Sequence, residues 1–378
     1  RRASPTANRH LTPDFPFICG SLFSGLRMNT LPEGQVMTAR GPVQPEALGR
    51  VLMHEHLHSD IYDWQKEALI LEEKPITAER RDLLMREAIP PLKRCTEHGC
   101  FALVDATPPP WRAWPTFYVE ASQAAGVHIV LSTGFYREVE TGTYWVKTPE
   151  DAIWPVVRES SVEELAEMCV GEIVEGIHGT EVHAGAIKLA TSAAEMTAAE
   201  AKAFRAGARA QKATGVHVTT HCTTIGAETS QLALLDEEGV DLNRVVVGHT
   251  ARHLMDGGCR RVCMEWMRRG AAFAPTNLRM DRQDGPEHWR PLVEAIHEVF
   301  DAGLGSHLVL GLDCAFASES GTFTYCIIPP PPYLYMFTHT LPALREMGLR
   351  PDEEDAMMAV NPQRILPVLK SGRTGRRS

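Results

Sequence analysis

The sequence predicts an α/β fold: a parallel (β/α)8 barrel carrying its chemistry on the C-terminal face of the strands. Three observations predict it. Eight short apolar or β-branched runs recur along the 378 residues, and segments of helical character separate them. Five of the eight runs carry a His, Lys or Asp with metal-binding chemistry at or near their C-terminal end. The first run closes on His54-Glu55-His56, where a doubly wound open sheet would carry a glycine-rich phosphate turn.

The eight runs are Val51–Leu57, Phe101–Ala106, His128–Phe135, Gly185–Ala190, Val216–His221, Val245–His249, Ala271–Thr276 and Leu308–Asp313. Each is bounded by polar residues or glycine, as strands in a buried parallel sheet are. The helical segments carry their own signals. Ser161-Val162-Glu163-Glu164 is a capping box, with Leu165, Met168, Cys169 and Ile173 following at helical spacing. Thr197, with Glu200 three residues on, opens a second helix that Gly215 closes. Leu232–Glu238 stops at Gly239 in the same way, and Cys259 and Cys263 share one helix face. Pro329–Pro332 reads as a stiff, extended loop.

Composition sets the broad class. Hydrophobic residues make up 44% and charged residues 23%, the balance of a soluble globule. Lys+Arg number 38 against 48 Asp+Glu, a net charge of −10 that disfavours nucleic acid and anionic membranes as partners. No run of ~18 apolar residues is available to span a bilayer. Nine cysteines, an odd number in a long chain, read as reduced core thiols and a cytoplasmic protein. Residues 1–34 are expected to be a flexible N-terminal extension, with Met28 the expected initiator. One barrel domain is expected over 35–369 and a basic tail over 370–378.

On a barrel, the strand ends converge. Residues two apart on a strand point the same way, so His54 and His56 both face the mouth. Lys188, His221, His249 and Asp313 close the fourth, fifth, sixth and eighth runs. Each alone has a bland reading, as a satisfied histidine, a surface lysine or a helix cap. Their joint placement points to a divalent metal. His and carboxylate donors suit Zn²⁺, with Mn²⁺, Co²⁺ or Fe²⁺ as alternatives.

These residues carry a family resemblance. Gly49-Arg50-Val51-Leu52-Met53-His54-Glu55-His56-Leu57 resembles the first-strand signature of the phosphotriesterase-like branch of the amidohydrolase superfamily. The resemblance continues through Gly185-Ala186-Ile187-Lys188, Val218-Thr219-Thr220-His221, Val247-Gly248-His249 and Gly311-Leu312-Asp313. It closes with Asn361-Pro362-Gln363-Arg364-Ile365-Leu366. It implies a distorted barrel with a binuclear metal centre. His54, His56 and Asp313 would bind the more buried metal, His221 and His249 the more exposed one. Lys188, as a carbamate formed from CO₂, would bridge both. Dimerisation is common in that family, so a homodimer is an expectation.

The chemistry of each role follows from general principles. Paired cations repel and need bridging anions. Carbamylation needs a neutral lysine, which burial and nearby cations favour. A bridging hydroxide at lowered pKa is the nucleophile, Asp313 accepts its proton, and the exposed metal polarises C=O or P=O. Asp105 is expected to orient a ligand histidine through its second nitrogen. Tyr136 resembles the family's aromatic lining position and could hydrogen-bond substrate. His58 and His253 are loop or outer-sphere candidates.

Loops set the substrate. Where efficient organophosphate hydrolases of the family carry an acidic run after strand six, this chain has Thr250-Ala251-Arg252-His253. Where they have an Asp-His ending after strand seven, it has Thr276-Asn277-Leu278-Arg279. Arg279 could clamp a carboxylate or phosphate. Phe316, Phe323, Tyr325 and the proline run could form an apolar wall and lid. The favoured reading is hydrolysis of a small ester, lactone or amide. A phosphotriesterase or phosphoesterase is the alternative, and a non-catalytic binding barrel is a third reading that would predict a lost ligand.

Overall fold

The computed structural model describes residues 31–57, 77–109, 112, 114–138, 154–281, 283–314, 317–319, 322–325 and 331–369. Met28, His58, Phe316, Pro329 and the 370–378 tail lie outside the described residues.

A short antiparallel hairpin, β1 (Val36–Thr38) and β2 (Gly41–Val43), precedes the barrel. Seven parallel strands follow: β3 (Arg50–Glu55), β4 (Cys100–Asp105), β5 (His128–Gly134), β6 (Ala186–Ala190), β7 (His217–His221), β8 (Val245–Gly248) and β9 (Ala272–Ala274). They pair in chain order, each with the next. Helices such as Pro115–Ala125, Val162–Val174 and Ala198–Thr214 lie between them in sequence, and Arg290–Asp301 follows the last of them. This is the distorted (β/α)8 barrel that the sequence predicts. A final hairpin, β10 (Ala317–Glu319) and β11 (Thr322–Tyr325), stands in the long loop after it.

Strand alternation divides the core in two. Val51, Met53, Ala102, Val104, Val130 and Ala186 belong to a cluster inside the barrel. Their neighbours Leu52, Leu103, Ile129, Leu131 and Ile187 pack outward with the helices. Both faces of most of these strands are therefore apolar, which is why their runs read as continuous rather than alternating, whereas β7 turns His217, Thr219 and His221 inward.

The eighth run departs from expectation. Leu308 makes a single parallel bridge to Phe273, and no regular strand forms over Leu308–Asp313. The segment still closes the barrel through isolated bonds. Met53 N–H donates to Leu310 O at 2.9 Å, and Asp313 N–H to His54 O at 2.8 Å. The physical reason lies in Glu55. Its carboxylate accepts the N–H groups of Leu312 (2.7 Å) and Cys314 (2.9 Å), which a regular ladder would give to backbone carbonyls.

The local signals are realised. Ser161 and Glu164 form their reciprocal capping box, as do Thr197 and Glu200. Gly215 and Gly239 adopt φ of +76° at the ends of their helices. The second of these helices spans Ala227–Glu237, longer than the predicted run. Cys259 and Cys263 are both buried on the helix Gly257–Arg268, and the described cysteines are free thiols. Pro331 and Pro332 open a tight turn instead of an extended loop, with Tyr335 N–H on Pro331 O at 2.8 Å. Among the described residues, no helix is long and apolar enough to cross a membrane.

Candidate metal centre

The centre begins with a bulge. Along β3 and β4, Leu52 pairs with Leu103 but Glu55 pairs with Asp105, so β3 spends one extra residue. That extra residue reverses the alternation. Val51 and Met53 face the interior lower down, and His54 takes over above the bulge. His56 stays two residues further on the same side.

The six predicted metal residues come together. His54 Nε2 lies 2.9 Å from Lys188 Nζ, and His56 Nε2 lies 3.2 Å from Asp313 Oδ1. Asp313 Oδ2 lies 3.7 Å from His249 Nδ1. The His249 ring centroid is 4.3 Å from that of His221 and 4.7 Å from that of His54. Donor atoms of His54, His249 and Asp313 all fall within 4.8 Å of one another. Lys188 stands two residues before the end of β6, deeper than expected, and is wholly buried.

Electrostatics leaves these groups ready as donors. Burial lowers the pKa of His54 and His221 well below the usual imidazole value, and takes His249 to about 4. All three are therefore neutral near pH 7, with lone pairs free of protons. Burial alone would raise the Asp313 carboxyl. His249, His56 and Lys188 outweigh it and hold the group below its ordinary value. Burial brings Lys188 down to about 7, so neutral amine is present at neutral pH.

The fit to a cation can be tested on the orphaned atoms. His54 Nδ1, His221 Nε2 and His249 Nε2 are buried without a hydrogen-bond partner. An unpaired buried nitrogen costs about 1–3 kcal/mol. A divalent cation would satisfy such nitrogens, and Asp313 supplies charge beside them. The residues fit.

Partners around the ligands were not all legible in sequence. Thr107 Oγ1 sits 2.7 Å from His56 Nδ1, and Thr276 Oγ1 sits 2.9 Å from His249 Nδ1. Asn277 Nδ2 donates to Asp313 Oδ2 at 3.1 Å. Asp105 was expected on a histidine. Its oxygens instead accept the N–H groups of Leu57 and Thr107, so it acts at one remove, by fixing the loop that carries Thr107. The one signal for Asn277 was its residue type. It adopts φ of +59°, a conformation asparagine tolerates, beside His249 at +62° and Asp313 at +58°.

The substrate candidates divide. Tyr136 is buried, with its hydroxyl 3.4 Å from His221 Nδ1. The Arg279 guanidinium is held by Asp281 at 2.7 and 3.0 Å. It lines a cavity of about 480 Å³ with Asp281, Gln283 and Asp284. His253 is fully buried, 3.3 Å from Glu228.

Comparison with known proteins places the sequence and the fold. A phosphotriesterase homology protein of Escherichia coli K12 is 29% identical over 327 residues, 84% of this chain and 97% of the relative. A crystal structure of the E. coli phosphotriesterase homology protein, described as complexed with phosphate in its active site, superposes with a TM-score of 0.65. It is 25% identical and covers 85% of this chain and 99% of its own. An aryldialkylphosphatase of Saccharolobus solfataricus is 28% identical over 56% of this chain and 62% of its own length. An N-acetyltaurine hydrolase of Tetraodon nigroviridis is 28% identical over 60% of this chain and 67% of its own. The model of the phosphotriesterase family matches residues 34–366, and the chain belongs to that family.

Proposed function

We propose that this chain is a binuclear metal-dependent hydrolase of a small carbonyl substrate: an ester, a lactone or an amide. The observation that carries the reading is the group of three buried histidines, one buried lysine and one buried aspartate, with His56 partly exposed beside Asp313 and imidazole nitrogens of His54, His221 and His249 left unpaired. When bound, two divalent cations, Zn²⁺ or otherwise Mn²⁺, Co²⁺ or Fe²⁺, supply an acidified water and polarise the scissile group. His54, His56 and Asp313 would hold one, His221 and His249 the other, and Lys188 would join them as its carbamate.

The remaining work falls to the chain. Asp313 is the general base. Its depressed pKa keeps it ionised at neutral pH, and the Asn277 amide fixes one of its oxygens. Tyr136, beside His221, is placed to hydrogen-bond the substrate oxygen. Thr107 and Thr276 lock the ring orientations of His56 and His249. Arg279 would read an anionic group on the substrate, exchanging Asp281 for it.

Amide chemistry is supported by the relative named as a hydrolase of N-acetyltaurine, an amide. Phosphotriester hydrolysis is the second reading, supported by the relative named aryldialkylphosphatase. A panel of a small lactone, an N-acyl amino acid and an aryl phosphotriester separates them. Lys188→Ala should lose about two cations per chain and activity together, with partial return on adding short carboxylates. Full metal and full rate in that variant would defeat the bridging role.

A further inference from the structure

A second set of metal-competent donors lies behind the strand ends and takes no part in the mouth. Cys222 follows β7 directly, Glu228 stands in the first turn of the helix Ala227–Glu237, and His253 lies on the short helix Ala251–Met255. All three are buried: Cys222 and His253 at 0% exposure, Glu228 at 2%. Their donor atoms lie within 4.8 Å of one another. His253 Nε2 is 3.7 Å from Cys222 Sγ and 3.3 Å from Glu228 Oε2.

Those separations have a chemical meaning. Zinc bonds of about 2.3 Å to sulfur and 2.0–2.1 Å to nitrogen or oxygen, at tetrahedral angles, hold S and N about 3.6 Å apart. The same lengths hold N and O about 3.4 Å apart. The observed pairs match both. The Thr224 carbonyl oxygen, 3.2 Å from His253 Nε2, stands near as a fourth donor. The Glu228 carboxylate is itself oriented, by Gly226 N–H on Oε2 (2.8 Å) and the Cys259 thiol on Oε1 (3.6 Å). His253 Nδ1 is buried and unpartnered.

We propose that Cys222, Glu228 and His253 form a separate site for one zinc-class cation, a clamp between the segments that follow β7 and β8. Binding forms a metal–sulfur bond and releases the Cys222 thiol proton to solvent. Its place in the chain suggests its use. Cys222 adjoins His221, and His253 lies four residues beyond His249. A cation here ties together the two turns that present those mouth histidines, without touching substrate.

Cobalt is the probe, because a thiolate ligand gives Co²⁺ a near-ultraviolet charge-transfer band and none of the six mouth ligands named above is a thiol. The reduced full-length protein should show that band on Co²⁺ addition, and bind one cation more than the mouth holds. Cys222→Ser should lose the band and one cation. His54→Asn should lose mouth cations and keep the band, so failure of the mouth and failure of the clamp read out separately. Zinc-edge absorption of the wild type, independent of any variant's folding, should show a sulfur neighbour at about 2.3 Å. A saturated wild type with no band and no sulfur neighbour would overturn the proposal, leaving a metal-free network in which His253 N–H is shared between Glu228 and Thr224.

Discussion

At two positions beside His54 the chain has room for hydrogen and nothing larger. A Cβ built on Gly248 would lie 2.6 Å from His54 Cε1, and one on Gly311 would lie 2.7 Å from His54 N. These contacts give a physical reason for the glycines in Val247-Gly248-His249 and Gly311-Leu312-Asp313: they are where the segments carrying His249 and Asp313 press on the first histidine. Such exclusions are residue-scale facts that a motif records without explaining. Arg279 is the opposite case. Its exposed ion pair with Asp281 is screened by solvent, so leaving it costs little. A hydrogen bond from a charged group is worth about 1.5–3 kcal/mol. Arg279→Ala should therefore raise KM for an anionic substrate about tenfold or more, with kcat nearly unchanged. Equal KM values in wild type and variant would remove Arg279 from the site.

At the scale of elements, the closure of the barrel is the instructive feature. Glu55 points away from its histidine neighbours and captures the N–H groups of Leu312 and Cys314, on either side of Asp313. The middle residue of His54-Glu55-His56 is thus a staple between the first strand and the last. Glu55→Gln keeps one acceptor oxygen and turns an NH₂ group toward a backbone N–H. It should cost about 1.5–3 kcal/mol of stability and loosen metal retention through Asp313. Urea midpoints and metal content of the variant check this together, and wild-type values for both would show that the staple holds nothing. Helices, by contrast, were fixed by nearest neighbours. The boxes at Ser161 and Thr197 formed as read because their donors and acceptors lie three residues apart.

Over the whole molecule, stability carries a pH signature from the end of the barrel opposite the mouth. His217 opens β7, is fully buried, and burial lowers its pKa to about 3 from an ordinary value near 6.5. Between those values the unfolded chain binds the proton and the folded chain does not, so stability falls as pH drops below about 6.5. The slope from this one group is up to about 1.4 kcal/mol per pH unit. A His217→Leu variant should lose less stability than the wild type between pH 7.5 and 5, read as the change in urea midpoint. Parallel losses in the two proteins would rule the residue out as the source.

The sequence by itself determined seven of the eight strand runs, their order, the helix caps and the places of the candidate mouth residues at or near the strand ends. Those features rest on local periodicity and on short-range hydrogen bonding, which neighbouring residues settle among themselves. Only the tertiary structure decided the rest. The β3 bulge depends on how β4 pairs with it, and the broken eighth strand on a side chain 257 residues away. The supports from Thr107, Thr276 and Asn277 and the burial of His253 against Glu228 join segments from separate strands and helices. Side chains meet there because the closed barrel brings distant strand ends to one rim, and no local pattern encodes that meeting.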